Sequence, residues 1–160
     1  MKKTARILHM TTGLLLLLLV LISIIVPPLT RGERAVNAAV EKLDSRYVFH
    51  RAGPDTFDCS GLVLYCYGPM GIELPHSARE MGYDPQLRTL RHPFQFAVGD
   101  LIFFDTVSSD KDVCDHVGLW MGGNRFIHAS SSKGRVIVSE FEDYWVEKFS
   151  WGKRLVWPFL

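Results

Sequence analysis

From residue 100 onward the chain changes period, and this limits its fold more than any other feature. The segments "DLIFFDT", "DHVGLWM", "NRFIHAS", "RVIVSE" and "KRLVWPF" follow one another across short gaps. Runs of this length, rich in β-branched and aromatic residues, predict five strands. Gly122-Gly123-Asn124, between the second and third, is a hairpin signal. Before residue 100 the pattern is helical. Val36, Val40 and Leu43 recur at helix spacing, predicting a first helix over 33–43. A second is expected from Cys59 to the Gly68-Pro69 stop, with Asp58 as N-cap, and "LPHSAREMGYD" predicts a short helical turn from Ser77. Helices first and an antiparallel meander afterwards make an α+β domain, its N-terminal helices packed on an antiparallel sheet.

The first 32 residues obey a different rule. Lys2, Lys3 and Arg6 precede a segment that carries no charge from Gly13 to Val26 and ends at Pro27-Pro28. Counted from Ile7, it has the roughly 20 residues a helix needs to cross a bilayer core. Basic residues ahead of it favour a cytoplasmic N-terminus and an exported remainder. No small-x-small cleavage site follows, so one uncleaved N-terminal transmembrane helix is expected, with a cleaved signal peptide and secretion as the alternative. Residues 1–32 are thus the membrane anchor (or signal peptide) and its exit, and 33–160 form one domain. A net charge of +1 with 22% charged residues gives no nucleic-acid-binding surface.

The chain has three cysteines, Cys59, Cys66 and Cys114, an odd count that leaves at least one thiol or an intermolecular bond. On one helix, Cys59 and Cys66 would stand two turns apart, about 10 Å along the axis, beyond the roughly 7 Å that a disulfide spans. No two cysteines have zinc-knuckle spacing. Cys59 is therefore expected to remain a thiol at a helix N-terminus. Cys66 reads as core packing and Cys114 as a loop thiol.

If the hairpin loop is the three residues 122–124, His116 and His128 share one sheet face as diagonal neighbours, and Val117, Leu119, Ile127 and Ala129 point into the core. A two-residue loop would split the histidines. The segregation of apolar residues favours the first register, which leaves Trp120 and Phe126 on the histidine face, as candidates to line a cleft. Trp145, Trp151 and Trp157 read as core. His76 and His92, beside prolines, are expected at the surface. A thiol followed in the chain by two histidines on one face fits nucleophilic catalysis: Cys59 attacks, His116 is the base, His128 orients it. Helix dipole and imidazole are expected to lower the thiol pKa. Asp58 opposes ionisation and should turn toward backbone donors or a ligand amine.

These residues resemble a known family. "FDCSGLV", "ELPHSA", "VGDLIFF", "DHVGLWMGGNRFIHAS" and "YW" occur in the order found in the NlpC/P60 family of papain-like bacterial cell-wall cysteine peptidases, from about Val36 to Trp157. The resemblance implies a papain-like fold and hydrolysis of amide bonds in peptidoglycan stem peptides through a Cys59 thioester. By position, Cys59 matches the nucleophile, His116 the base and His128 the third, polar member. Tyr47 matches a tyrosine lining the substrate site, and Asp58 and Ser60 match residues that flank the nucleophile and hold a substrate amine. His50 and Arg51 replace a glycine pair of the family. Arg51 either pairs with a substrate carboxylate or lies in solvent. No metal or organic cofactor is implied. Two other readings stand beside this one: an amidase or acyltransferase of the same superfamily, and a non-catalytic domain that binds wall peptides. Permuted acyltransferase relatives place histidine before cysteine, the reverse of the order here.

Overall fold

Short strands build one sheet, and the N-terminal helices pack against it. The computed structural model describes residues 28–108 and 112–156, together with Leu15. The expected membrane-spanning segment and Trp157 lie outside the described residues, Leu15 aside; among the described residues no helix is long and apolar enough to cross a membrane. Arg31–Leu160 cluster as one compact unit.

In chain order the elements are α1 (Arg31–Val40), β1 (Arg46–Tyr47), β2 (Thr56–Phe57), α2 (Cys59–Tyr67), α3 (Ala78–Tyr83), β3 (Arg88–Leu90), β4 (Leu101–Phe104), β5 (His116–Gly122), β6 (Arg125–Ser130), β7 (Arg135–Glu140), α4 (Asp143–Lys148) and β8 (Phe149–Arg154). The sheet order is β2-β1-β7-β6-β5-β4-β8-β3. Among the described residues only β1 and β2 pair in parallel, and the other strand pairings are antiparallel. This is the α+β arrangement that the change of period predicts.

The hairpin keeps the expected register by an unexpected route. Leu119 faces Ile127 and Trp120 faces Phe126, but at the tip Gly122 pairs with Arg125. Gly123 and Asn124 form a two-residue turn with φ of 57° and 61°, the left-handed pair that such hairpins need. An irregularity between Trp120 and Gly122 absorbs the extra residue, so both histidines stay on one face.

Two cores result. The larger lies under α1 and α2 and includes Val36, Leu62, Val63, Cys66, Val117, Leu119, Ile127 and Ala129. Leu62 and Val63 are almost wholly buried, and each such side chain contributes about 1.5–3 kcal/mol of transfer free energy. The smaller core fills the histidine face with Ile102, Phe104, Trp120, Phe126 and Phe141, with Trp145 of α4 packed against it. Trp120 and Phe126 are therefore core residues and do not line an open cleft.

Several boundaries differ from the sequence reading. The first helix ends at Val40, and 41–44 continue only as turns with i→i+3 bonds such as Lys42 N–H to the Ala39 carbonyl. Among the described residues the last strand is Phe149–Arg154, which starts ahead of the expected 153–159 because pairing with β4 and β3 fixes its place. The very short β1, β2 and β3 are too brief for any period to register, and α4 lies in "EFEDYWVEK", which reads as mostly a solvated face with a Tyr-Trp anchor.

Candidate active site

Asp58 organises the start of α2. Its Oδ1 accepts the Gly61 N–H at 2.6 Å and the Ser60 hydroxyl at 3.0 Å, satisfying helix donors as an N-cap does. Its Oδ2 accepts the backbone N–H of His50 at 2.7 Å. His76 Nε2 sits 3.1 Å from both carboxylate oxygens. The carboxylate thus turns to backbone donors, as expected, with a histidine in place of a ligand amine. Gly61 is dictated by contact: a Cβ there would come within 2.0 Å of the Arg51 carbonyl oxygen. That carbonyl also accepts the Asp58 N–H, tying the 50–58 loop to the helix.

This frame presents Cys59, half-buried, on the first residue of α2. Its thiol lies against the backbone N–H groups of Val117, Ser60 and Cys59 itself, which favour the thiolate. Val117 follows His116 on β5, so helix start and histidine strand meet here. Burial, and then the charge of Asp58, outweigh those donors and push the thiol up to about 11. The sequence reading expects a lowered value; desolvation overrides the helix terminus.

The histidines form a chain. His116 Nε2 and His128 Nδ1 are 2.7 Å apart, and His128 Nε2 lies 3.0 Å from the Ser139 hydroxyl on β7. In the tautomer that leaves His116 Nδ1 free to accept a proton, His116 Nε2–H donates to His128 Nδ1 and His128 Nε2–H donates to the Ser139 hydroxyl. The Trp145 ring stacks on His116 at 5.8 Å and meets His128 edge-on at 5.0 Å. Burial lowers His116 to about 4 against the opposing pull of Asp115. His128 falls well below its ordinary value through burial and then the neighbouring His116.

Two pockets flank this junction. One of about 490 Å³ is lined by Cys59 together with Tyr47, Asp58, Ser60, His50 and His76. The other, about 260 Å³, is lined by His116 and His128 with Thr106, Ser130, Tyr144 and Trp145. Tyr47, Asp58 and Ser60 are therefore brought to the thiol. Arg51 is exposed and does not line either of these pockets, while its backbone carbonyl holds the Asp58 N–H. Phe49 and Val107, 80% and 85% exposed, give the larger pocket an apolar rim.

Sequence reasoning misses four contributors. His76 is not a surface residue but the partner of Asp58, and His50 stacks on it with ring centroids 4.6 Å apart. Only the proximity of "LPHSA" to the helix in space could have revealed this. Ser139 and Trp145 come from β7 and α4, with no local signal of their role. Cys114 lies in the loop before β5, as expected, but is buried there, its thiol donating to the Ala78 carbonyl. Among the described residues, His50, Asp58 and His76 are the group whose donor atoms could hold a metal ion.

Comparison with known proteins accords with this geometry. A sequence model of the NlpC/P60 family matches residues 44–154. The murein DD-endopeptidase MepS/murein LD-carboxypeptidase of Escherichia coli is 35% identical over 120 residues, which are 71% of this chain and 58% of that protein. The murein DD-endopeptidase MepH of the same organism is 32% identical over 127 residues, 78% of this chain and 46% of the relative. The chain thus spans about half the length of the curated relatives it matches. Among solved structures, NlpC2 from Trichomonas vaginalis superposes with a TM-score of 0.72 at 35% identity, covering 81% of this chain and 49% of that one. The fold is the papain-like α+β fold of these relatives, and the chain belongs to the NlpC/P60 family.

Proposed function

We propose that the domain is a cysteine endopeptidase that hydrolyses amide bonds in peptidoglycan stem peptides. The observation that carries the reading is the junction of the Cys59 helix start with the His116–His128–Ser139 chain, between two pockets that can take the two sides of a scissile bond. The likeness to murein endopeptidases supplies the substrate class.

With its Nε2–H committed to His128, His116 keeps Nδ1 for the thiol proton. A thiol near 11 and an imidazole near 4 form a neutral resting pair, so proton transfer accompanies attack rather than preceding it. Cys59 Sγ bonds to the amide carbon, its proton goes to His116, and the tetrahedral oxyanion takes the backbone N–H of Cys59. His116 then protonates the leaving amine as the C–N bond breaks. The thioester is cleaved by water whose proton passes to His116, and the thiol is restored. His128, held by Ser139, fixes the ring and shares the charge it gains. A substrate amine against Asp58 and Ser60 would offset the charge that opposes thiolate formation. The same reading places the domain outside the cytoplasmic membrane, carried there by residues 1–32.

The test is incubation of the full chain, and of Cys59→Ala, with purified peptidoglycan and a defined stem tetrapeptide, followed by mass analysis. A new product from the intact chain alone would identify the bond. Uncut substrate, with Cys59 alkylating no faster than buried Cys114, would reject catalysis and leave a wall-peptide-binding domain.

A further inference from the structure

We propose that His50, Asp58 and His76 form a binding site for one divalent transition-metal ion of the zinc class, on the pocket wall beside Cys59. Their donor atoms all lie within 4.8 Å of one another. No motif spacing announces the cluster, because His50 and His76 come from loops on opposite sides of α2 in the chain.

The His76–Asp58 pair already has ligand spacing. Bonds of about 2.0–2.1 Å to a tetrahedral zinc separate neighbouring donor atoms by roughly 3.3 Å. The observed separations are 3.1 Å from Nε2 to both carboxylate oxygens. An ion takes the place of the hydrogen between Nε2 and the carboxylate, and the neutral ring keeps its single proton on Nδ1. The third ligand has little distance to cover. His50 is exposed, so its ring can rotate, and it starts stacked on His76 with an interplanar angle of 7°.

The position of His50 is itself informative. Its φ of 58° lies in the left-handed region, where a β-carbon costs roughly 1–2 kcal/mol and glycine is free. The N–H bond to Asp58 Oδ2 needs only the backbone. A glycine would supply that bond without strain, so the backbone role alone does not call for an imidazole, and it is the ring that completes the cluster.

Ligand chemistry selects the ion. Two imidazoles and one carboxylate suit zinc, cobalt or nickel, whereas magnesium and calcium need a shell of oxygen donors. Three protein ligands leave a fourth position, and all three line the same pocket as the thiol. The ion therefore occupies the wall where Asp58 would meet a substrate amine, and it competes with substrate there.

The experiment is calorimetric titration of the full-length Cys59→Ala chain, purified in mild detergent and stripped of metal, with Zn2+, Co2+ and Mg2+, joined to the visible spectrum of the Co2+ form. Expected are one Zn2+ per chain, a tetrahedral cobalt spectrum that zinc abolishes, and no response to Mg2+. His50→Gly, which relieves the left-handed residue and so keeps the fold, and His76→Gln should each weaken Zn2+ at least tenfold. His92→Ala, an exposed histidine outside the cluster, should leave affinity unchanged. Absence of stoichiometric binding, or equal affinity in His50→Gly or His76→Gln, would overturn the site. The titrated chain lacks the nucleophile, so either result is independent of whether the wild type cuts murein.

Discussion

Asp58 and Cys59 are adjacent in sequence and opposed in electrostatics. The carboxylate builds the helix start that positions the thiol, yet its charge, second only to burial, holds that thiol near 11. In chelating buffer, Cys59 alkylation in the free wild-type protein should therefore still accelerate above pH 9, with a midpoint near 11. Asp58→Asn removes the charge and should shift the midpoint downward while its Oδ1 still accepts the Gly61 N–H as a cap. Stopped-flow alkylation against pH reads both. A midpoint unmoved in Asp58→Asn would leave burial as the whole cause. The N-cap at Asp58 and the placing of Cys59 on the first residue of the helix were legible from "FDCSG" because a cap and a helix start are local events. The thiol's titration was not, because desolvation depends on β5 and its neighbours, more than 50 residues away in the chain.

At the scale of elements, the β5–β6 hairpin decides whether two histidines become a pair. Gly118 lies between His116 and Trp120 on the same face. A Cβ there would stand 2.8 Å from the Phe126 ring and 3.2 Å from His128 Cβ. Gly118→Ala should push both aside, costing about 1–3 kcal/mol by overpacking and most of the activity through the lost 2.7 Å histidine contact. Thermal unfolding and murein turnover measure the two effects. Ser139→Ala is gentler: it removes one hydrogen bond of about 1 kcal/mol, so kcat should fall roughly fivefold to tenfold at nearly constant KM. An equal rise in KM would mean that Ser139 serves binding instead. Alternation of apolar residues sufficed to predict that both histidines share a face. It could not show that Phe104, Trp120 and Phe126 fill that face, since an apolar stripe reads alike under a lid or beside a cleft. Nor could it reveal β1 or β2, two residues long, whose order comes from their partners.

Over the whole molecule, the burial of His116 makes stability depend on pH. Its folded value of about 4 lies below the ordinary 6.5, so the unfolded chain takes the proton first. This contribution is complete above pH 6.5, is lost as pH falls toward 4, and amounts to about 3 kcal/mol. Melting temperature against pH should fall through that window for wild type and fall less for His116→Gln. A second tie spans the fold: Arg154 at the end of β8 grips both oxygens of buried Asp100, at 2.8 and 2.6 Å, ahead of β4. Lysine cannot reproduce that fork, and Arg154→Lys should cost about 1–3 kcal/mol in denaturant unfolding, a figure reduced for the partly exposed guanidinium. The histidine chain, by contrast, is roofed by α4, six residues long, with no side-chain cap at Glu142 and a left-handed Asp143 at φ 39°. An isolated helix of that length has no stability of its own. Water should therefore reach the imidazoles by local opening long before the sheet yields. On the proposed function, the fraying of one short helix would then govern catalytic lifetime, and activity should be lost on warming while the β-structure signal is still intact.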